Sequence, residues 1–364
     1  MEIVHRCSQS GLQVLLIRGR GADRDAAERE LLEAGVPLPL SHRSLWAANT
    51  YSWQPWFLLV RNADGHACGG VAVEQIRTRA MPGHTILQVK RFGGNLSRDV
   101  CRAGLEALAS LAHKEARVLR LQIQIFAREG REEIKEDLRS LGFREVNPPN
   151  CYRHTLVVDL KPSEQDIFAS FGKSARTRIR EAEKKSVRSI PLDDPAFAAR
   201  IDELQQEALQ RTGGRIASLH WDGVLKMSRE HPEVSRVFGA FVGGDETPEH
   251  MRAFAWVCHH GDYAEYRAAG SSRSGDSRLP FGYLLVWEMI RWAKSNGADW
   301  FDMGGVTLPD DNAAALSGIS DFKRFFSQNV AEVGAEWVLE PHPLRAKLAT
   351  ALSKSAARVA RLIH

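Results

Sequence analysis

No C-x-x-C pair occurs in the 364 residues, and the five cysteines, Cys7, Cys68, Cys101, Cys151 and Cys258, are odd in number and far apart. That speaks against a disulfide framework and for buried thiols in a reducing compartment. No stretch approaches the roughly 20 apolar residues a membrane span needs. Near the N-terminus the longest apolar run, Leu12 to Ile17 with Gln13 inside it, is too short for a secretory core, so a cytoplasmic protein is expected. Charge of one sign is also scarce: 49 Lys+Arg against 45 Asp+Glu leaves +4, which does not mark a nucleic-acid binder. There is no phosphate-binding P-loop and no nucleophile elbow. His259 and His260 are adjacent and would point to opposite faces of a strand, so no metal site is expected.

What is present is a soluble α+β pattern large enough for two cores. Trp56–Arg61 and an apolar run ending at Ile76 flank Asp64-Gly65, the pair that supplies positive φ to a hairpin turn. A strand over 85–90 follows, then a helix capped by Ser97 with Val100, Leu105, Leu108 and Leu111 at helical spacing. A strand over 118–126, a short helix ending before Gly142 and a strand over 152–160 complete the first half. A similar order recurs: strands over 237–242, 252–259 and 263–269, a helix over 283–296, a strand over 299–303, a short helix over 320–327 and a closing strand over 330–339. The division expected is a domain over 1–160, a basic connecting helix over 161–190, a second domain over 191–344 and a basic amphipathic tail helix over 345–364. The connecting helix sets Phe171, Ala175, Ile179 and Ala182 on one side and Lys173, Arg176, Arg180 and Lys184 on another.

Three runs, in this order and at these spacings, resemble the Fem family of aminoacyl ligases and the related BioF2-like acetyltransferase domains of the GNAT superfamily. They are 171–185, FGKSARTRIREAEKK; Tyr266-Arg-Ala-Ala-Gly-Ser-Ser272 with Tyr283-Leu-Leu-Val-Trp287 and Phe301-Asp-Met-Gly-Gly305; and Asp321-Phe-Lys-Arg-Phe-Phe326. The resemblance implies two tandem GNAT-like domains in a single-chain, FemX-like form, and leaves open whether the first keeps a site of its own. It implies an acyltransferase that passes an acyl or aminoacyl group to an amine. Two neighbouring parallel strands, 263–269 and 299–303, would splay apart and offer backbone N–H groups to the oxyanion.

Within that frame Lys323 stands where the family has a lysine that steadies developing negative charge or donor phosphates. Gly270, Gly304 and Gly305 suit close approach of substrate to a strand end, and equally suit ordinary turns. Asp302, at the end of an apolar strand, must be paired or face the cleft, where it can receive or orient the proton of the attacking amine. Tyr266 and Tyr283 would line the donor groove or pack in the core, and Arg267, which opens the run to Ser272, would bind substrate. Lys173 and Arg176 suit a diphosphate or tRNA phosphates, or simply a solvated helix face.

Arg267 to Ser272 approaches the acyl-CoA signature Q/R-x-x-G-x-G/A but has Ser272 where Gly or Ala is usual. The co-substrate implied is therefore aminoacyl-tRNA, with acyl-CoA as the alternative and no tightly bound cofactor. The acceptor implied is a small or lipid-linked amine such as a peptidoglycan precursor. An acyl-CoA-dependent N-acetyltransferase acting on an amino sugar or amino acid, and a non-catalytic binding protein, remain open. The acid-free tail suits either contact with an anionic membrane surface or packing on the body.

Overall fold

In the computed structural model, residues 1–8, 10–50, 55–78, 81–212, 219–272, 279–308 and 317–363 are described. Most of the 273–282 loop, and the tail side chains of Val359, Leu362 and Ile363, lie outside the described residues. The chain forms β1 (Glu2–Arg6), β2 (Gln13–Arg18), α1 (Ala22–Glu33), α2 (Ser44–Thr50), β3 (Trp56–Arg61), β4 (Ala67–Arg77), β5 (Thr85–Gly93), α3 (Arg98–Lys114), β6 (Val118–Phe126), α4 (Arg131–Ser140) and β7 (Arg144–Glu145). It continues with β8 (His154–Asp159), α5 (Glu164–Ser170), α6 (Lys173–Lys184), β9 (Val187–Leu192), α7 (Ala198–Thr212), α8 (Trp221–Glu230), β10 (Ser235–Val242), β11 (Ala253–His259), β12 (Tyr263–Ser271), α9 (Phe281–Ser295), β13 (Trp300–Gly305), α10 (Ser317–Arg324), β14 (Val330–Glu332), β15 (Gly334–Leu339) and α11 (Pro343–Ile363).

Two mixed sheets result, flanked by helices, so the α+β class and the two units expected from the sequence are what the chain forms. The first has the order β1-β2-β3-β4-β5-β6-β15-β7 and the second β14-β8-β13-β12-β11-β10-β9. They define two compact units, 1–47 with 51–153 and 333–364, and 48–50 with 154–332. In the first, α3 is capped as its sequence requires: the Ser97 hydroxyl accepts from the Val100 N–H at 3.4 Å, with Asp99 in the first turn and His113 and Lys114 in the last. Its Leu105 and Leu108 are fully buried against the sheet.

The closing strands are exchanged relative to the sequence reading. The strand expected to end the first half is β8, which lies between β14 and β13 in the second sheet. The strand expected over 330–339 breaks at Val333: β14 stays with the second sheet, and β15 returns to pair with β6 and β7 of the first. Gly334 makes the return possible, because a Cβ there would collide with the Tyr152 carbonyl. Alternating patterns specify a strand and which face it buries, but both sheets accept the same pattern. The connecting helix is also two helices, broken at Phe171-Gly172, and both belong to the second unit.

Candidate active site

In the second unit β12 and β13 run parallel and pair at three positions only: Tyr263 with Trp300, Ala264 with Phe301 and Glu265 with Asp302. Both strands then become irregular. Arg267 is an extra residue on β12, since Tyr266 lies opposite Val257 and Ala268 opposite Trp256. On β13 the ladder with β8 skips from Asp302 to Gly305, and Gly304 has φ +73°. Bulges bend a strand and end its pairing; beyond Glu265 and Asp302 the two strands part.

A cavity of about 580 Å³ is lined by Tyr266, Ala269 and Gly270 of β12 together with residues of α7, α9 and α10. Successive residues of a strand face opposite sides. On one side of β11, Ala253 and Ala255 share a core with Leu284 and Leu285 of α9. On the other, Phe254 meets Trp221 of α8 edge-on at 5.1 Å, and Leu204 of α7 reaches Gly270. A cavity with walls from both α7 and α9 therefore reaches both sides of the sheet at the parted edge of β12.

Lys323 closes the parting strands from α10. It is 8% exposed, and its ammonium donates to the Gly305 carbonyl at 2.8 Å. It stands 5.7 Å from the centre of the Tyr266 ring. Burial pushes the ammonium down to about 8, against the opposing pull of Asp302 and then Glu265. Burial likewise pushes the Tyr266 phenol up to about 12, so it keeps its proton at neutral pH.

Asp302 does not face open space. It is fully buried, accepting from the Gly304 N–H at 2.8 Å and from the Thr155 hydroxyl, which also donates to the Gly304 carbonyl at 3.0 Å. Of the two alternatives open at the sequence level, the carboxylate takes the paired one, and it fixes the turn on which Lys323 rests. Gly304 is required twice, by its positive φ and because a Cβ would lie 3.3 Å from Lys323 Nζ and 3.2 Å from the Tyr266 carbonyl. Gly270 lines the cavity, but its missing Cβ makes room for α7: the Leu204 carbonyl would be 2.6 Å away. Its need for glycine is thus explained by helix packing and not by substrate approach.

Lys173 and Arg176 do not join the group around Lys323 and are not among the residues lining the cavity. They begin α6, tied to the end of α10 by the Gly172 N–H donating to the Phe325 carbonyl at 2.8 Å. Arg267, the bulged residue, is partly exposed and lies 3.8 Å from Glu265.

The sequence reading missed three residues. Glu265 is 2% exposed beside His260 at 3.2 Å, and Thr155 is fully buried. Glu265 was findable by the logic applied to Asp302, as the one acid in the strand Tyr263–Ala269. Gln205 of α7 lines the cavity and is 5% exposed. Its Oε1 accepts from the Trp221 indole at 3.3 Å, while its Nε2 has no partner among the described residues.

Among the described residues the first unit shows no such parting. There β5 and β6 stay paired through seven positions from Thr85–Val118 to Gly93–Phe126. A bulge at Lys90-Arg91, with Arg91 at φ 50°, is absorbed within the pair, and His42 is bonded to the Lys90 carbonyl.

Among the described residues, these units define a two-sheet α+β protein whose second sheet is opened at its parallel strand pair. The profile of the FemAB family matches residues 252–354, so the Fem-type likeness read from the later sequence runs holds. The structure is similar over 92% of this chain, and all of that one, to the crystal structure of FemX, at TM-score 0.72 and 14% identity. It is also similar over 93% of its length and 98% of the other chain to the structure of L-PGS from Bacillus licheniformis, at TM-score 0.54 and 14% identity. No curated protein sequence matches the chain.

Proposed function

We propose that the chain is a transferase that moves an aminoacyl or acyl group from an activated donor to an amine, with a cell-envelope precursor as acceptor and aminoacyl-tRNA as donor. The observation that carries this reading is the buried Lys323 ammonium at a strand pair parted by two bulges, beside a cavity open to both sides of the sheet. The amine nitrogen attacks the acyl carbonyl, whose π electrons move to oxygen. Lys323 and β12 amides that no longer pair with β13 stabilise that oxyanion. Collapse breaks the bond to the donor oxygen, or to sulfur if the donor is a thioester. The nitrogen gives its excess proton to water, and the protonated Tyr266 phenol supplies one to the leaving group and regains it from solvent. Asp302 acts as a positioning residue, and Lys173 and Arg176 are proposed to hold phosphates of the donor or acceptor.

The test is a mass-shift assay in which a pool of envelope-precursor amines is treated with the protein and either aminoacyl-tRNA or acyl-CoA. An added aminoacyl mass supports the reading. An acetyl mass from acyl-CoA alone replaces it with the N-acetyltransferase, and no product with either donor rejects transfer.

Two further outcomes are expected. The ammonium form of Lys323 is the active one, so the rate at saturating donor and acceptor should fall as pH rises through about 8. Lys323→Arg, which stays charged, should remove that alkaline limb; a pH–rate profile of both proteins checks it. Gln205→Leu removes a buried donor that lines the cavity. It should raise KM for one substrate by about 5- to 10-fold, the value of one hydrogen bond, with little change in kcat.

A further inference from the structure

The last helix, α11, is held to the first unit by one face. Ala346 is fully buried and Ala349 nearly so, Thr350 accepts from Arg120 at 2.7 Å, and Arg345 donates to the Ala116 carbonyl at 2.7 Å. The opposite face carries Leu344, Leu348 and Leu352, spaced by four residues and 82%, 53% and 43% exposed. They are among the most exposed large apolar side chains described in the protein. Spacing by four places them in one stripe along the helix. The charged residues of the helix sequence are Arg345, Lys347, Lys354, Arg358 and Arg361, and there is no acid after Glu340. No described helix is long and apolar enough to cross a membrane.

A leucine stripe on a helix whose charges are all positive, with its other face fixed to a folded unit, has the chemistry of a helix lying in the plane of a lipid surface. We infer that α11 docks the protein on an anionic bilayer, the leucines entering the acyl boundary and the helix's cations drawn to the headgroups. Charge decides for this occupant. A second copy of α11 would bring five cations against five, whereas an anionic surface attracts each of them. The inference does not depend on transfer chemistry, which lies in the other unit.

The experiment is co-sedimentation of the full-length protein with vesicles of phosphatidylcholine alone or with phosphatidylglycerol added. Binding is expected only with phosphatidylglycerol, weakening in high salt. Replacing Leu344, Leu348 and Leu352 together by Ser should weaken it by about 100-fold. All three side chains are exposed, and a circular dichroism melt of the variant should match the parent. Lys347→Glu with Lys354→Glu should also weaken binding while leaving the melt unchanged. Failure of the parent to sediment with anionic vesicles, or a triple-serine protein that sediments as well as the parent, overturns the inference. So does a parent dimer that ignores vesicles and that the serine replacements dissolve, which would assign the stripe to a second copy.

Discussion

Lys323→Met should slow transfer by about 100-fold or more at neutral pH, the usual loss when an oxyanion partner is removed, while making the protein more stable. The two effects share one cause. Burial lowers the ammonium from 10.5 to about 8, so the folded state holds this proton less tightly than the unfolded state does. Between those two values the unfolded chain binds more protons, and stability rises as pH rises. Below about pH 8 the burden of the buried charge is fully present, on the order of 3 kcal/mol. The methionine protein should therefore melt higher than the parent at pH 7, with the difference shrinking between pH 8 and 10.5. Melts across that range, beside single-turnover rates, check both halves. A methionine variant of unchanged rate would remove Lys323 from the chemistry. A variant less stable than the parent at pH 7 would show that its hydrogen bond to Gly305 outweighs desolvation.

The second large effect concerns chain connectivity. Because β15 is an inner strand of the first sheet, a polypeptide ending at Glu332 lacks the strand that pairs with β6 and β7. It also lacks Trp337, 2% exposed, and Glu336, which accepts from the Asn150 backbone N–H at 2.6 Å. Loss of a buried tryptophan alone costs about 3 to 5 kcal/mol, a large part of a domain's stability of about 5 to 15 kcal/mol. The first unit of residues 1–332 should therefore lose its cooperative melt. A polypeptide of 154–332 keeps all seven strands of the second sheet and should give one cooperative transition. Urea denaturation of both, followed by tryptophan fluorescence, checks this. A 1–160 piece that folds cooperatively alone would contradict the exchange of strands.

Much of this architecture was legible beforehand. The strand over 118–126, the hairpin at Asp64-Gly65 and the Ser97 cap are local: alternation, positive-φ residues and a hydroxyl before a helix act over a few residues. Lys323 was legible only through its neighbours in the sequence run that resembles the Fem family. The sequence reading assigned no elements to 1–50 or 191–236, where β1, β2, α1, α2, α7 and α8 lie, and so had no means of reaching Gln205. Glu265 carried the same local signal as Asp302, one acid in a mostly apolar strand, while its contacts with His260 and β13 are visible only in the structure.

The sequence by itself determined the strands and helices with a clear period, such as those over 85–126 and 237–303, and which residue types could carry the chemistry, because each of these is set by period and by the side chain itself. The tertiary structure alone decided which sheet takes β8 and β15, that β12 parts from β13 after three pairs while β5 stays joined to β6, and that Asp302 is enclosed. Those outcomes depend on register between segments distant in the chain, where one bulged residue, Arg267, redirects a strand whose composition gives no sign of it.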